Sequence, residues 1–112
     1  MRVTARLFQQ PQLALRITLF TRANCGLCTR AKAALSSVWD VRPFDFREID
    51  IIDPAAQKWR NLYDLDVPVI HISKATAGEE DPQKASKAVK LMHRFSPEDV
   101  QAKMDAVEKA ES

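Results

Sequence analysis

Two cysteines are all that this chain of 112 residues contains, too few for the disulfide-stapled scaffold of a small secreted domain. No apolar run approaches the ~20 residues of a membrane-spanning helix, and no secretory leader with an apolar centre is expected. Histidine is as scarce, with only His71 and His93. Both fall in strand-like runs rather than in a C-x-x-C or H-x-x-x-H cluster, so a closed zinc site within the chain lacks its other two ligands. The formal net charge of +2 is too small to imply a nucleic-acid partner. Acidic residues are absent before Asp40, while Arg2, Arg6, Arg16, Arg22, Arg30 and Lys32 precede it. The Arg-bearing, acid-free start Met1–Phe8 has the flavour of a mitochondrial transit peptide, or of a basic arm. Residues 1–14 are expected to be such an arm, ended by Gln9-Gln10-Pro11-Gln12. The expected setting is intracellular and reducing, cytoplasmic or mitochondrial, with no membrane partner.

What is present is an ordinary globular balance, 46% apolar and 29% charged, at a length that suits one domain. The chemistry concentrates at Cys25-Gly26-Leu27-Cys28. Upstream, Leu15-Arg16-Ile17-Thr18-Leu19-Phe20 alternates as a strand does. Downstream, Thr29 to Leu35 is rich in helix formers and free of Gly and Pro. A cysteine at a strand-to-helix junction meets unpaired N–H groups and the positive end of the helix dipole, which favour thiolate over thiol. The second thiol lies about one turn on, within reach of a mixed disulfide formed on the first. On spacing alone the pair also fits half of a zinc site, a soft-metal site or two inert packed cysteines.

The remaining elements follow from pattern and caps. A first strand is expected over about 15–20 and a helix over about 26–38, with Leu27, Ala31, Ala34, Leu35 and Val38 as its apolar stripe. A second strand runs over 44–51, where Phe44, Phe46 and Glu48 share a face and the alternation is imperfect. Asp53-Pro54 reads as the cap and first position of a helix to about Asp64, which offers Trp59, Leu62 and Tyr63. A short buried strand enters through Val67-Pro68. Residues from about 73 to 87 are polar and read as a long loop or insertion, with Glu79-Glu80-Asp81-Pro82 inside it. A fourth strand over 88–95 places Val89, Leu91, His93 and Phe95 on one face. Ser96-Pro97-Glu98-Asp99 is a strong helix start, and the last helix buries Val100, Met104 and Val107. The order β-α-β-α-β-β-α requires a parallel first pair and permits an antiparallel last pair. It describes an α/β fold with a mixed four-stranded sheet in three layers.

A C-x-x-C after the first strand, with Val67-Pro68 entering the third, resembles the thioredoxin fold in its compact glutaredoxin form. The short entry Asp66-Val67-Pro68-Val69-Ile70 and the long insertion before strand four resemble, more narrowly, the glutaredoxin-like family of bacteria, fungi and animals. The resemblance covers about residues 15–110. It implies that Cys25 is the nucleophile, Cys28 the resolving thiol and Pro68 a cis proline. It further implies that the backbone of Val67 faces the substrate's cysteine-bearing strand. Arg22 stands where a basic residue of glutaredoxins assists the thiolate and the carboxylate of glutathione; its other reading is a solvated surface arginine. Two departures matter: the pair is Cys-Gly-Leu-Cys rather than Cys-Pro-Tyr-Cys or Cys-Gly-Phe-Ser, and the Gly-Gly turn after strand four is missing. There stands Arg94-Phe95-Ser96-Pro97-Glu98-Asp99, in which Asp99 either replaces the family's ligand-binding acid or stabilises the helix start.

The implied activity is thiol–disulfide exchange by a monomer on a protein disulfide or a glutathionylated thiol. No tightly bound cofactor or metal is expected, with glutathione as a reductant. The competing functions are a soft-metal or iron–sulfur carrier using both thiolates and a redox-silent thioredoxin-fold adaptor. Copper-carrying domains also place C-x-x-C after strand one, but in the order β-α-β-β-α-β, which the helix before Asp64 contradicts.

Overall fold

A computed structural model describes residues 13–110 of the chain. Strands β1 (Leu15–Thr21), β2 (Asp45–Asp50), β3 (Val69–Lys74) and β4 (Val89–Met92) alternate with helices α1 (Gly26–Val41), α2 (Gln57–Tyr63) and α3 (Pro97–Lys109). Two 3-10 turns, Pro54–Ala56 and Pro82–Lys87, complete the regular structure among the described residues. The sheet order is β2-β1-β3-β4. β1 pairs parallel with β2 and antiparallel with β3, and β3 pairs antiparallel with β4. This is the mixed three-layer arrangement that the element order implies. The arm expected over 1–14 lies, but for its last two residues, outside the described residues.

Successive strand residues point to opposite faces, and the sequence uses that alternation to build two cores. Leu15, Ile17 and Leu19 of β1 join Ile70 and Ile72 of β3 on one face, under α1 and α3. There Leu35 and Val38 meet Val100, Met104 and Val107. Beyond α1, Arg42 donates to Asp105 and Glu108 of α3 at 2.7 and 2.8 Å. The opposite face carries Phe20 and Val69 against Trp59 and Tyr63 of α2, with Ala56 and Ala85 from the two 3-10 turns.

Several expectations are corrected. β4 ends at Met92, because His93 takes a left-handed backbone with φ of 66° that a strand cannot continue. Histidine 93 therefore lies outside a strand, whereas His71 lies in β3. β2 is an edge strand, which explains its charged, half-alternating composition; Phe46 is largely exposed there. Leu62 is exposed while Trp59 and Tyr63 are buried.

The segment between β3 and β4 is anchored rather than loose. Arg16, on the second face of β1, sends its guanidinium to the carbonyls of Ala75, Ala77 and Gly78 at 2.9, 3.2 and 3.3 Å. Asp81 caps the 3-10 turn by accepting from the N–H of Gln83 at 2.9 Å. Ala85 is buried in the second core.

Candidate active site at the start of the first helix

Cys25 is the N-cap of α1, in extended backbone, and its Sγ accepts a hydrogen bond from the N–H of Cys28 at 3.1 Å. A donor aimed at the sulfur from the first turn of a helix stabilises negative charge there. Asn24, just before it, has φ of 58°, a left-handed conformation that asparagine tolerates better than most side chains. The turn swings the chain from β1 into α1. Cys25 and Cys28 are joined as a disulfide with their Cα atoms 5.2 Å apart. Cys25 is half-buried, whereas Cys28 is only 2% exposed. The two sulfurs are thus unequal: one is offered to solvent and the other is covered.

The pair lines a hollow of about 410 Å³ together with Thr21, Arg22, Asn24, Thr29 and Lys32. Arg22 thus lines the same hollow as the cysteines. Its charge is not free: Nη2 is bound to the carboxylate of Asp64, which Arg60 also approaches at 3.6 Å. The Nε of Arg22 is buried without a partner. Lys32, the other cation of the hollow, pairs with Glu48 at 2.9 Å.

The Val67–Pro68 peptide bond is cis. Phe20 and Val69 are Cα partners in the β1–β3 register, so Pro68 enters the sheet abreast of the end of β1, the end from which the chain runs on to Cys25. The carbonyl of Pro68 accepts from the N–H of His93 at 2.8 Å, and His93 Nε2 lies 3.3 Å from Asp66. Residues 64–68 thus form one loop at the cysteine end of the sheet.

Asp99 sits at the start of α3 in a reciprocal cap. It accepts from the Ser96 N–H at 2.9 Å, and its own N–H donates to Ser96 Oγ at 3.1 Å. The backbone hydrogen bond from Ser96 leads the causes that hold its carboxyl below the ordinary value. The turn that leaves β4 passes through His93 in a left-handed conformation.

Residues to which the sequence assigned no site role adjoin the loop at 64–68. Tyr63, the last residue of α2, bonds through its hydroxyl to His71 Nε2 at 2.6 Å, and His71 Nδ1 bonds to Glu80 at 2.6 Å. His71 is 1% exposed and lies edge-on to Phe20, Trp59 and Tyr63. Burial foremost, then the charges of Glu80 and Asp66, pushes the Tyr63 phenol up from its ordinary value. The available signal was a histidine inside the apolar run Val69-Ile70-His71-Ile72, with acids a few positions on.

Residues 16–105 match the glutaredoxin-like domain family (DUF836). The chain belongs to this family. A solved protein of X. campestris is 30% identical over 80% of this chain and 96% of its own, with a TM-score of 0.56. Protein Ne2328 of Nitrosomonas europaea is 17% identical over 85% and 96%, with a TM-score of 0.58. Thioredoxin 1 of Thermosipho africanus is 16% identical over 81% and 91%, with a TM-score of 0.55. The last two likenesses concern the fold alone. The chain is thus a glutaredoxin-like thioredoxin fold bearing a C-x-x-C pair. Among the described residues no helix is long and apolar enough to cross a membrane.

Proposed function

We propose that this glutaredoxin-like protein is a thiol–disulfide oxidoreductase. In the reduced state the Cys25 thiolate attacks one sulfur of a partner disulfide, forming a mixed disulfide and expelling the partner's other sulfur as thiolate. The Cys28 thiolate then attacks Cys25 Sγ, closing the Cys25–Cys28 disulfide and releasing the partner's second thiolate. The partner gains two electrons, the dithiol loses two, and the released thiolates take up protons. A thiol such as glutathione regenerates the pair by the reverse exchange.

The observation that carries this reading is the inequality of the two sulfurs. Cys25 is half-buried at a helix N-cap with an N–H donor on its sulfur, and Cys28 is covered behind it. The favoured substrate is a protein disulfide rather than a small glutathione mixed disulfide, because no glycine follows β4 to let backbone approach a tripeptide. Val67 and Arg22 then orient the partner's thiol, while Asp99, engaged in its cap, contributes little to binding.

The test is trapping with a reduced protein and a disulfide-bonded protein substrate. Cys25→Ser abolishes exchange, and Cys28→Ser accumulates a mixed disulfide seen by mass spectrometry. Exchange that survives Cys25→Ser would refute the assignment.

A further inference from the structure

The bonds from Glu80 through His71 to Tyr63 form an unbroken chain from the segment between β3 and β4 to the end of α2. Their roles follow from chemistry. A carboxylate only accepts, so His71 Nδ1 carries the proton donated to Glu80 at 2.6 Å. Nε2 bonds to the Tyr63 hydroxyl at 2.6 Å, and burial, with the charges of Glu80 and Asp66, pushes that phenol up and keeps it protonated. A buried imidazole satisfied on both nitrogens holds one orientation, and so do its two partners.

What this chain holds in place is the beginning of the loop beside the cysteines. Tyr63 ends α2, and Asp64 follows it directly. The Asp64 carboxylate is bound to Nη2 of Arg22, which lines the hollow of Cys25. The N–H of Asp66 donates back to the Tyr63 carbonyl at 2.9 Å, so the loop hangs from the residue that the chain fixes.

We propose that Glu80, acting through His71 and Tyr63, is a positioning residue for the Asp64–Arg22 pair and so sets how much of the Arg22 charge reaches Cys25. This rests on the exchange reading above. With the chain intact, Asp64 occupies the Arg22 guanidinium. With it broken, the end of α2 is held by its helical bonds, the Asp64 N–H to the Arg60 carbonyl at 2.9 Å among them. The Asp64 carboxylate is then less firmly placed, and the Arg22 guanidinium is shared with the next anion in the hollow, the reduced Cys25 thiolate. Of the other charged groups nearby, Lys32 is paired with Glu48, Arg60 stands near Asp64, and Asp66 lies 3.3 Å from His93 Nε2.

The experiment follows the pH dependence of Cys25 alkylation by iodoacetamide in the reduced full-length protein. Tyr63→Phe and Glu80→Ala are expected to lower the midpoint by about half a unit, as a nearby cation does for a thiolate. Glu80→Gln, which keeps an acceptor for Nδ1–H, stays near the parent. Asp64→Asn lowers the midpoint by itself, and adding Glu80→Ala to it changes nothing further, since the effect passes through Asp64. Tyr63→Phe removes one oxygen only and serves where Glu80→Ala does not fold. Parent-like midpoints in Tyr63→Phe and in any folded Glu80→Ala would overturn the inference. So would an equal Glu80→Ala shift with and without Asp64→Asn. A parent protein whose Cys25 resists alkylation at every pH instead overturns the exchange reading, and this inference with it.

Discussion

Arg16 and Asp45 meet across the parallel β1–β2 pair, Nε donating to Oδ2 at 3.0 Å, while the rest of the Arg16 guanidinium holds the carbonyls of 75, 77 and 78. One side chain thereby ties the edge strand β2, the central strand β1 and the segment beyond β3. Arg16 is 9% exposed, so these bonds form where water competes little.

Arg16→Met keeps the stem and removes every one of these donors. It is expected to destabilise the protein by about 2 kcal/mol, because Asp45 and the freed carbonyls lose charge-assisted partners. Denaturant unfolding measures the loss, and limited proteolysis should find its first new cuts within 75–88. Unchanged stability would show the anchor to be dispensable.

Asp45 gives the fold an acid limb. Burial works to raise its carboxyl, but hydrogen bonds and charge from Arg16 and Arg47 outweigh it and leave the group below its ordinary value of 3.8. A carboxyl depressed in the folded state contributes stability above its unfolded value and loses it as pH falls through the folded one. Asp45→Asn is therefore less stable than the parent near neutrality, and its stability falls less steeply below about pH 4. A parallel decline of the two proteins in acid would contradict this. Asp99, depressed in the same direction, keeps some acid sensitivity in the variant.

The two thiols of the reduced protein should alkylate at different rates. Cys25 faces solvent and accepts an N–H from the helix start, while Cys28 is covered. Near neutral pH, Cys25 should react at least ~10-fold faster, a thiolate at a helix N-terminus being the more populated nucleophile. Peptide mapping after brief alkylation reads the ratio, and equal labelling would count against the asymmetry.

His93 offers a test of glutathione recognition. Its φ of 66° costs a non-glycine residue roughly 1 kcal/mol. His93→Gly should offset part of that cost and open the turn to close backbone approach. Turnover of a glutathione mixed disulfide, expected to be slow in the parent, should rise in the variant. Rates in the parent typical of dithiol glutaredoxins would defeat the expectation.

The elements legible in the sequence were those written locally. Cys25 to Cys28 at a strand–helix junction, Ser96 with Asp99, and the stripe Val100, Met104 and Val107 each sit within a few turns of chain, and each stands where its spacing implies. The Arg16 anchor was not legible, since its carbonyl partners lie 59 to 62 positions away and an arginine in an alternating strand looks like any solvent-facing charge. Glu80, only nine positions from His71, sits in a polar acidic run, and the one local signal for its bond was a histidine inside an apolar strand. His93 was misread as strand because alternation continues through it in sequence, although its backbone turns away.

The covered position of Cys28 has a kinetic consequence. In the proposed exchange, a thiol that reopens the oxidised pair strikes Cys25, the sulfur within reach, and expels Cys28 as the leaving group. The oxidising partner meets the same atom in the other half of the cycle. Under that proposal, donor and acceptor of electrons would compete for one doorway and would not occupy the protein together. Its steady-state kinetics should be ping-pong, with each partner, in excess, inhibiting the entry of the other.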